Sequence, residues 1–404
     1  MHSTCGKSNK HKHTSKYLHP IHLSKKFQSF FNDKYKENPF GYQTSITLWT
    51  SYLGPVVVPV WESPVENTVF LQMTNEDGIL IKVLDIFDVM NVFGSAGLPG
   101  VEFLRKINPA SINIAENKAN YEKIQKFQAY KKLDLFKNDP DLAKLINSQL
   151  KELYAKNICV DIFFNTMMYI KFLKTKFGLK NINTNKELIS IYNIPDLDNA
   201  FFTGEYMVYG NGSDYFYPLG SPDVTAHELT HGLTQTLCNL DYIGESGALN
   251  EGFSDIFASA FEFWLHEYYK DLPGAATWFI GSVIGYNMLY LRNMEYPGEG
   301  PNRQPYEYKG EYWADTNSTD DDGGVHTNSG PCNRCFCLIS KKLSVDISIN
   351  IFYDCLCELE HDSQYIDFAN TLLDVCPDEY QKVVTGVLDI IKIPYTSMEI
   401  EFGN

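Results

Sequence analysis

The segment HELTH at residues 227–231 has the residue types and spacing of a metal site. On a helix, residues four apart lie on one face, so His227 and His231 can point their imidazoles at one ion. Glu228 is rotated from His227 by about 100°. Its carboxylate would therefore lie beside the ion, where it can accept a proton from a water that the ion activates. The pattern alone does not distinguish a metal site from two solvated histidines on a polar helix face.

A catalytic zinc site needs a third protein ligand and an open position for water. Leu237 stands where one class of zinc hydrolase has a third histidine, so that class is excluded. Glu251 lies far enough beyond the second histidine for a turn and a returning helix. Asp255 follows one helical turn later, and we place it with Asn250 behind the ligands, where they orient the histidines. The predicted zinc ligands are His227, His231 and Glu251.

A second cluster occupies residues 321–330 and reads DDGGVHTNSG. Its glycines permit a tight turn. His326, with Asp321 close in sequence, can act as a charged hydrogen-bond donor to the oxyanion that forms when a peptide carbonyl is attacked. Without the first motif, the cluster would be interpreted as a surface turn, and a calcium loop is a further alternative.

The bulk composition is that of a globular protein. The chain has 404 residues, of which 44% are hydrophobic and 21% charged, which predicts two domains. A net charge of −16 argues against nucleic acid and anionic membranes as partners. The sequence contains no run of about 18 apolar residues, so no transmembrane helix is expected.

The periodicity divides the chain into three parts. Residues 1–40 are rich in Lys and His and are expected to form a disordered extension, and residues 41–222 are predicted to be β-rich with a helical insertion near 107–153. Residues 223–404 are predicted to be helical, and Asp223 is a candidate N-cap of the first helix. The expected helices are 158–177, 223–236, 247–269, 329–342, 347–359, 365–375 and 378–391.

The nine cysteines leave an alternative open. Cys332 and Cys335 have a spacing that also suits redox or metal chemistry. No second CxxC pair completes a four-cysteine zinc site, so buried helical thiols are the favoured interpretation.

These motifs together resemble the thermolysin-like neutral metalloproteases, which are zincins with a HExxH…ExxxD pattern. The resemblance rests on four blocks in order, NAFFTG with MVYG at 199–210, DVTAHELTH at 223–231, ESGALNE with SDIF at 245–257, and GGVHTNSG at 323–330. It implies an α+β fold of two domains, a β-rich N-terminal domain and an α-helical C-terminal domain, with the active-site helix at their junction. It also implies a zinc-dependent endopeptidase.

The resemblance implies roles for further residues. Glu228 matches the general base, His326 the histidine that stabilises the tetrahedral intermediate, and Asp321 its carboxylate partner. Tyr242 matches a tyrosine that donates to the same oxyanion. The positions that match substrate-binding residues are Asn199 and Ala200 for the substrate backbone, Arg292 at the rim of a pocket, and Phe216, Val224 and Leu291 as its apolar walls. A bulky apolar side chain is expected after the scissile bond.

The chain also departs from the family pattern. Family members often bind paired calcium ions, but Asp223 and Glu262 are the matching carboxylates and residues 278–282 are uncharged, so calcium binding is weakened. The resemblance implies one zinc ion, peptide or protein substrates, a monomer and secretion. The first residues lack the apolar core of a secretory signal, which keeps a cytoplasmic location as the alternative. The alternative function is a zinc-binding, non-catalytic family member that acts as a binding or regulatory protein.

Overall fold

The computed structural model describes most of the chain after residue 42. The described residues are 43–63, 65–93, 99–132, 138–182, 186–213, 215–270, 272, 275–286 and 288–396. The predicted N-terminal extension, residues 1–40, lies outside this part of the chain.

Two β-sheets occupy the N-terminal half. The strands are β1 (Gln43–Thr50), β2 (Gly54–Glu62), β3 (Thr68–Phe70), β4 (Gln72–Thr74), β5 (Leu80–Asp85), β6 (Ser111–Asn113), β7 (Glu187–Ile194), β8 (Ala200–Phe202) and β9 (Met207–Gly210). One sheet is antiparallel in the order β1-β2-β3-β6. The other is mixed in the order β4-β5-β7-β9-β8, with β5, β7 and β9 parallel and with β8 at its edge.

Side-chain alternation explains why the first sheet forms. In β2, Val56, Val58 and Val60 are buried, whereas Val57 between them is 65% exposed. This period of two buries one face of the strand and leaves the other in water. Residues 75–78 form the hairpin turn that joins the antiparallel strands β4 and β5, and Gly78 has a φ of +79° there.

The helices of the N-terminal half are α1 (Ile86–Phe93), α2 (Val101–Leu104), α3 (Ile114–Lys131) and α4 (Pro140–Phe177). The buried helix expected from Ile158 therefore begins much earlier. The Asp139 side chain accepts hydrogen bonds from the backbone N–H groups of Asp141 and Leu142, and Pro140 fits the first turn because it needs no N–H partner there. Gly178, with a φ of +68°, ends the helix.

The start of α4 escaped the sequence analysis because its surface is polar and lysine-rich. Its apolar side chains nevertheless pack with Ile124 of α3 and with Tyr217 in a small separate cluster. The predicted insertion near 107–153 thus contains α3 and the first turns of α4, two helices packed against each other. The later part of α4, including Phe163 and Phe172, belongs to the main core.

The C-terminal half is helical. Its elements are α5 (Pro222–Leu237), α6 (Gly244–Tyr268), β10 (Phe279–Ile280), β11 (Arg292–Asn293), α7 (Asp321–Asn328), α8 (Gly330–Lys342), α9 (Val345–Glu358), α10 (Tyr365–Val375) and α11 (Asp378–Ile391). The predicted N-cap of α5 is wrong, because Ser221 holds that position and Asp223 lies in the first turn. The helix begins at Pro222, before Asp223, because a proline at the first helical position needs no partner for a backbone N–H.

Helix α5 is buried on almost every side. It packs against α4 and α6, and the hydroxyls of Thr230 on α5 and Tyr169 on α4 lie 2.7 Å apart and are hydrogen-bonded. One continuous apolar core includes Val58 of the first sheet, Leu229 of α5 and Leu388 of α11. The fold is the predicted α+β arrangement. Within the described residues no helix has both the length and the apolar character to cross a membrane.

A buried carboxyl on α4 makes the stability of this fold depend on pH. Asp161 is 1% exposed and its Oδ1 accepts a hydrogen bond from the backbone N–H of Ser51 at 2.7 Å. Burial raises the pKa of Asp161 to about 8. Above about pH 4 the unfolded chain loses this proton, whereas the folded chain keeps it. The free energy of unfolding therefore falls as pH rises from about 4 to about 8.

We expect Asp161→Asn, which cannot ionise, to raise the Tm at pH 8 and to lose most of this advantage near pH 5. The gain at pH 8 should be on the order of 1–4 kcal/mol. Scanning calorimetry at both pH values measures the difference. Asp374→Asn, at an exposed position on α10, is the matched control. A lower Tm for Asp161→Asn at pH 8 would show that the fold requires the ionised carboxylate.

Candidate metal centre and catalytic site

Helices α5 and α6 bring the three predicted zinc ligands together. The Nε2 atoms of His227 and His231 are 3.2 Å apart. Glu251 Oε2 lies 3.2 Å from Nε2 of His227, and its Oε1 lies 3.5 Å from Nε2 of His231. Zinc bonds of about 2.0–2.1 Å at tetrahedral angles place neighbouring ligand atoms roughly 3.3–3.4 Å apart. The separation of the three side chains therefore fits a zinc ion.

The chemical types of the three ligand side chains also favour zinc. Two imidazoles and one carboxylate are the ligands of a known class of catalytic zinc site. Among the described residues, these three form the only group of three or more His, Cys, Asp or Glu side chains that could hold a metal ion.

Each histidine is oriented by a partner on α6. His227 Nδ1 donates to Asp255 Oδ1 at 2.9 Å, and His231 Nδ1 donates to Asn250 Oδ1 at 2.8 Å. These hydrogen bonds select the tautomer that leaves each Nε2 free for a metal. Asp255 is held in turn by Arg292, whose Nε and Nη2 each donate to it at 2.7 Å.

Burial and neighbouring charges together shift the pKa values of the residues at the site. Burial raises the pKa of Asp255, but Arg292 and His227 outweigh this and bring it to about 2. Burial also lowers the pKa of His227, but the carboxylates of Asp255 and Glu251 raise it to about 10. Several negative charges are therefore buried together, and a cation between the ligands compensates them better than a proton on one imidazole.

Glu228 lies beside the ligand set and is not part of it. The residue is 5% exposed, and burial raises its pKa to about 7. A cation held by the neighbouring ligands would lower this pKa. Its position one residue after His227 is the one that the helical geometry predicted for a proton acceptor.

Tyr242 and His326 complete one side of the site. The Tyr242 hydroxyl donates to Glu251 Oε1 and lies 3.4 Å from Nε2 of His326. The same Nε2 lies 3.4 Å from Glu251 Oε1. His326 Nδ1 donates to Asp321 Oδ1 at 2.5 Å, and Asp321 also accepts the backbone N–H of His326 at 3.1 Å. Two hydrogen-bond donors from distant parts of the chain thus face the metal ligands.

A left-handed turn positions this histidine. Residues 321–324 all have positive φ, at 51°, 46°, 86° and 77°. A Cβ built on Gly323 would lie 2.5 Å from the backbone oxygen of Thr316, and one built on Gly247 of α6 would lie 2.4 Å from Cγ1 of Val325. The turn therefore packs so closely on the start of α6 that only glycine fits at both contact positions.

The residues expected to bind substrate come from the start of β8, the first turn of α5, the short strand β11 and the loops that precede α5 and β11. Ala200 is the first residue of β8, an edge strand whose only sheet neighbour among the described strands is β9, and the carbonyl of Asn199 accepts a hydrogen bond from Gly210. Phe216, Val224 and Leu291 pack with the main core, and Arg292 contacts the zinc site through Asp255.

Three supporting residues were missed by the sequence analysis. Ser254 Oγ lies 3.2 Å from His231 Nδ1, Asn333 Nδ2 donates to Asp255 Oδ2 at 2.8 Å, and Gln304 Nε2 donates to the carbonyl of His326 at 2.6 Å. Ser254 could have been found from its place between Glu251 and Asp255. No local signal marks Asn333 or Gln304.

The cysteine alternative finds no support in the fold. The cysteines in the described part of the chain are free thiols. Cys332 and Cys335 are both 0% exposed, and burial raises the pKa of each well above its usual value. Buried thiols of this kind are poor nucleophiles.

The carboxylates expected to remain from a calcium site have other partners. Asp223 Oδ1 accepts hydrogen bonds from the hydroxyl of Ser221 and the backbone N–H of Val224, and its Oδ2 accepts one from the backbone N–H of Gly281. Burial, together with the charge of Asp223, raises the pKa of Glu262. The hydrogen bonds that Asp223 already accepts, and the burial that disfavours an ionised Glu262, make a weak calcium ligand set.

Comparison with known proteins identifies similar sequences. Residues 106–235 match the family model described as thermolysin metallopeptidase, catalytic domain, and residues 238–392 match the one described as thermolysin metallopeptidase, alpha-helical domain. The chain is 33% identical over 231 residues to neutral protease NprE of Bacillus pumilus, which covers 56% of this chain and 72% of that protein.

Other relatives are matched over less of their length. Bacillolysin of Bacillus subtilis (strain 168) is also 33% identical, over 56% of this chain and 42% of bacillolysin. An extracellular metalloprotease of Pectobacterium carotovorum subsp. carotovorum is 33% identical over 51% of this chain and 61% of that protein. Among solved structures, the precursor of protealysin, a metalloproteinase from Serratia proteamaculans, superposes with a TM-score of 0.53 at 26% identity. That match covers 59% of this chain and 79% of the protealysin chain.

We expect Asn250→Ala to lower the zinc affinity by about 10- to 100-fold, because His231 loses the partner that orients its ring. Competition with a chelator of known affinity measures the change. Ser246→Ala is the control, since Ser246 lies on the same helix and donates to the backbone of His361 instead. Equal zinc affinity in the two variants would show that Asn250 does not support the ligand.

Proposed function

The chain belongs to the thermolysin family of metallopeptidases, and from this premise we propose that it is a zinc-dependent endopeptidase that cleaves peptide bonds before bulky apolar residues. The observation that carries the proposal is the convergence of His227, His231 and Glu251 at zinc-ligand separations, with a proton acceptor and two hydrogen-bond donors beside them.

Zinc would be held by the two Nε2 atoms and the Glu251 carboxylate, and when bound it supplies a Lewis acid that lowers the pKa of a water molecule. Glu228 accepts the proton of the attacking water. It then delivers that proton to the leaving amine, so that one carboxyl serves first as base and then as acid. Its burial suits this role, because a carboxylate shielded from water is a stronger base than one in solution.

Two side chains stabilise the charge that develops on the attacked carbonyl oxygen. The Tyr242 hydroxyl and Nε2 of His326 lie on the same side of the ligand set and can both donate to that oxygen. Asp321 accepts the proton of Nδ1 and its negative charge favours the imidazolium form of His326, so that Nε2 also carries a proton to donate. The mechanism therefore needs the left-handed turn that fixes Asp321.

Substrate would bind as an added strand. Because β8 lies at a sheet edge, an extended peptide can pair with the backbone at Asn199 and Ala200. The pocket for the residue after the scissile bond would be walled by Phe216, Val224 and Leu291, with Arg292 at its rim. These apolar walls favour a bulky apolar side chain.

We also infer that the protein acts outside the cell, since one relative is named an extracellular metalloprotease. The family resemblance is the reason for proposing a monomer. Detection of the protein in the culture medium tests the location. Size-exclusion chromatography tests the monomeric state. Cell fractionation that recovers the protein only in the cytoplasm would favour the alternative location.

We expect Glu228→Gln to reduce peptide cleavage by at least 10²-fold while one zinc remains bound, because the amide cannot accept a proton. Cleavage sites in a peptide library are read by mass spectrometry, and a bulky apolar residue should follow each cut. Glu267→Gln, an exposed position on α6, is the matched control. If the zinc-loaded parent cleaves no peptide, the non-catalytic alternative is correct.

We expect His326→Ala to lower kcat by about 10²–10³-fold with a small change in KM, because the donor acts on charge that appears during the reaction. Steady-state kinetics on one library peptide give both constants. A loss confined to KM would make His326 a substrate-binding residue instead.

A further inference from the structure

A polar cavity of about 480 Å³ lies outside the zinc site, between α3, α4 and the ends of two strands. Asp85 is the last residue of β5, and Tyr192 and Asn193 lie near the end of β7. These two strands are parallel neighbours. The crevice beyond the carboxyl ends of parallel strands is a common place for ligands, because the chain diverges there and leaves space.

The floor of the cavity consists of buried polar side chains. Asn117 and Asn120, one turn apart on α3, are 3% and 5% exposed. The amide of Asn117 is paired with the backbone of Trp49, at 2.8 Å and 2.9 Å. Asn120 makes no side-chain hydrogen bond to any residue that the structure describes. This amide lines the cavity, so both its oxygen and its N–H groups are available to a polar ligand there.

The rim of the cavity is acidic. Three carboxylates, Asp85, Glu116 and Glu152, and one ammonium group, Lys156, line the cavity, so the lining carries a net charge of −2 at neutral pH (one positive minus three negative). Glu116, Glu152 and Lys156 are exposed and can reach a ligand from solution. The net negative charge of the lining favours a cationic ligand.

The spacing of the carboxylates excludes one small ion as the main ligand. They do not meet as a metal-binding group, since the described chain has such a group only at the zinc ligands. A volume of about 480 Å³ is also far larger than one hydrated ion needs. The ligand should therefore be extended and carry more than one positive charge.

We propose that this cavity binds a short basic peptide. Lysine or arginine side chains of the peptide contact Asp85, Glu116 and Glu152, the Asn120 amide pairs with its backbone, and Lys156 pairs with its terminal carboxylate. The binding itself does not depend on the proposed peptidase activity, because no cavity residue belongs to the zinc site.

Titration calorimetry with tri-lysine tests the proposal on the full, zinc-loaded chain carrying Glu228→Gln, which leaves the peptide intact. We expect one peptide per chain and no binding of tri-glutamate. The double variant Glu116→Gln with Glu152→Gln should bind about tenfold more weakly. Glu122→Gln is the matched control, because Glu122 is exposed on the same helix and does not line the cavity.

Asn120→Leu separates a ligand-binding role from a structural one. If the unpaired amide serves a ligand, this variant keeps or raises the Tm and binds tri-lysine several-fold more weakly. A clear fall in Tm would mean that Asn120 supports the fold and would remove the main argument for the site. The proposal is overturned if tri-lysine does not bind, or if it binds the rim variant and the Glu122→Gln control equally well.

Discussion

Buried negative charge at the junction of α5 and α6 is the constraint on which the rest of the structure depends. Glu228, Glu251 and Asp255 are 5%, 1% and 0% exposed, and the carboxylates of Glu251 and Asp255 lie 3.2 Å and 2.9 Å from the two ring nitrogens of His227. Such a group is stable only when cations and hydrogen bonds compensate it. Arg292 meets Asp255 with two hydrogen bonds, and the ligand set is completed by an ion whose site the donors already outline. The same buried negative charge favours the binding of a metal cation and keeps a carboxyl that can accept a proton beside it.

The catalytic side chains come from segments with no local reason to meet. Tyr242 precedes α6, whereas His326 follows a left-handed turn more than eighty residues later. Close glycine packing brings the turn onto the helix, because a Cβ at Gly323 or Gly247 would collide with its neighbour. The cost of four successive left-handed residues, two of them aspartates, is tolerated because Asp321 gains two hydrogen bonds to His326. Strain in the backbone is thus coupled to the position of a proposed catalytic group.

The errors of the sequence analysis have a common origin. The start of α4 looked like part of an exposed insertion because its lysines hid a narrow apolar stripe that packs on α3 and Tyr217. Asp223 looked like an N-cap, but its carboxylate is used by Gly281, which lies far away in the sequence. Asn333 and Gln304 support the site through single long-range hydrogen bonds that no periodic pattern encodes. Helices α10 and α11, whose amphipathic periodicity is local, were predicted with the bounds that the structure has.

The sequence by itself determined the chemistry of the centre. An i, i+4 pair of histidines lies on one face of any helix, and a glutamate one position on must lie beside that face, so local geometry placed two candidate ligands and a proton acceptor. The other motifs were needed to distinguish a metal site from two solvated histidines. Glu251 needed only the further assumption of a returning helix. Tertiary structure alone decided which tautomer each histidine presents, how closely Tyr242 and His326 approach, and that a second polar cavity lies at the ends of β5 and β7. These features depend on contacts between segments far apart in the chain, and such contacts arise only when the core has packed.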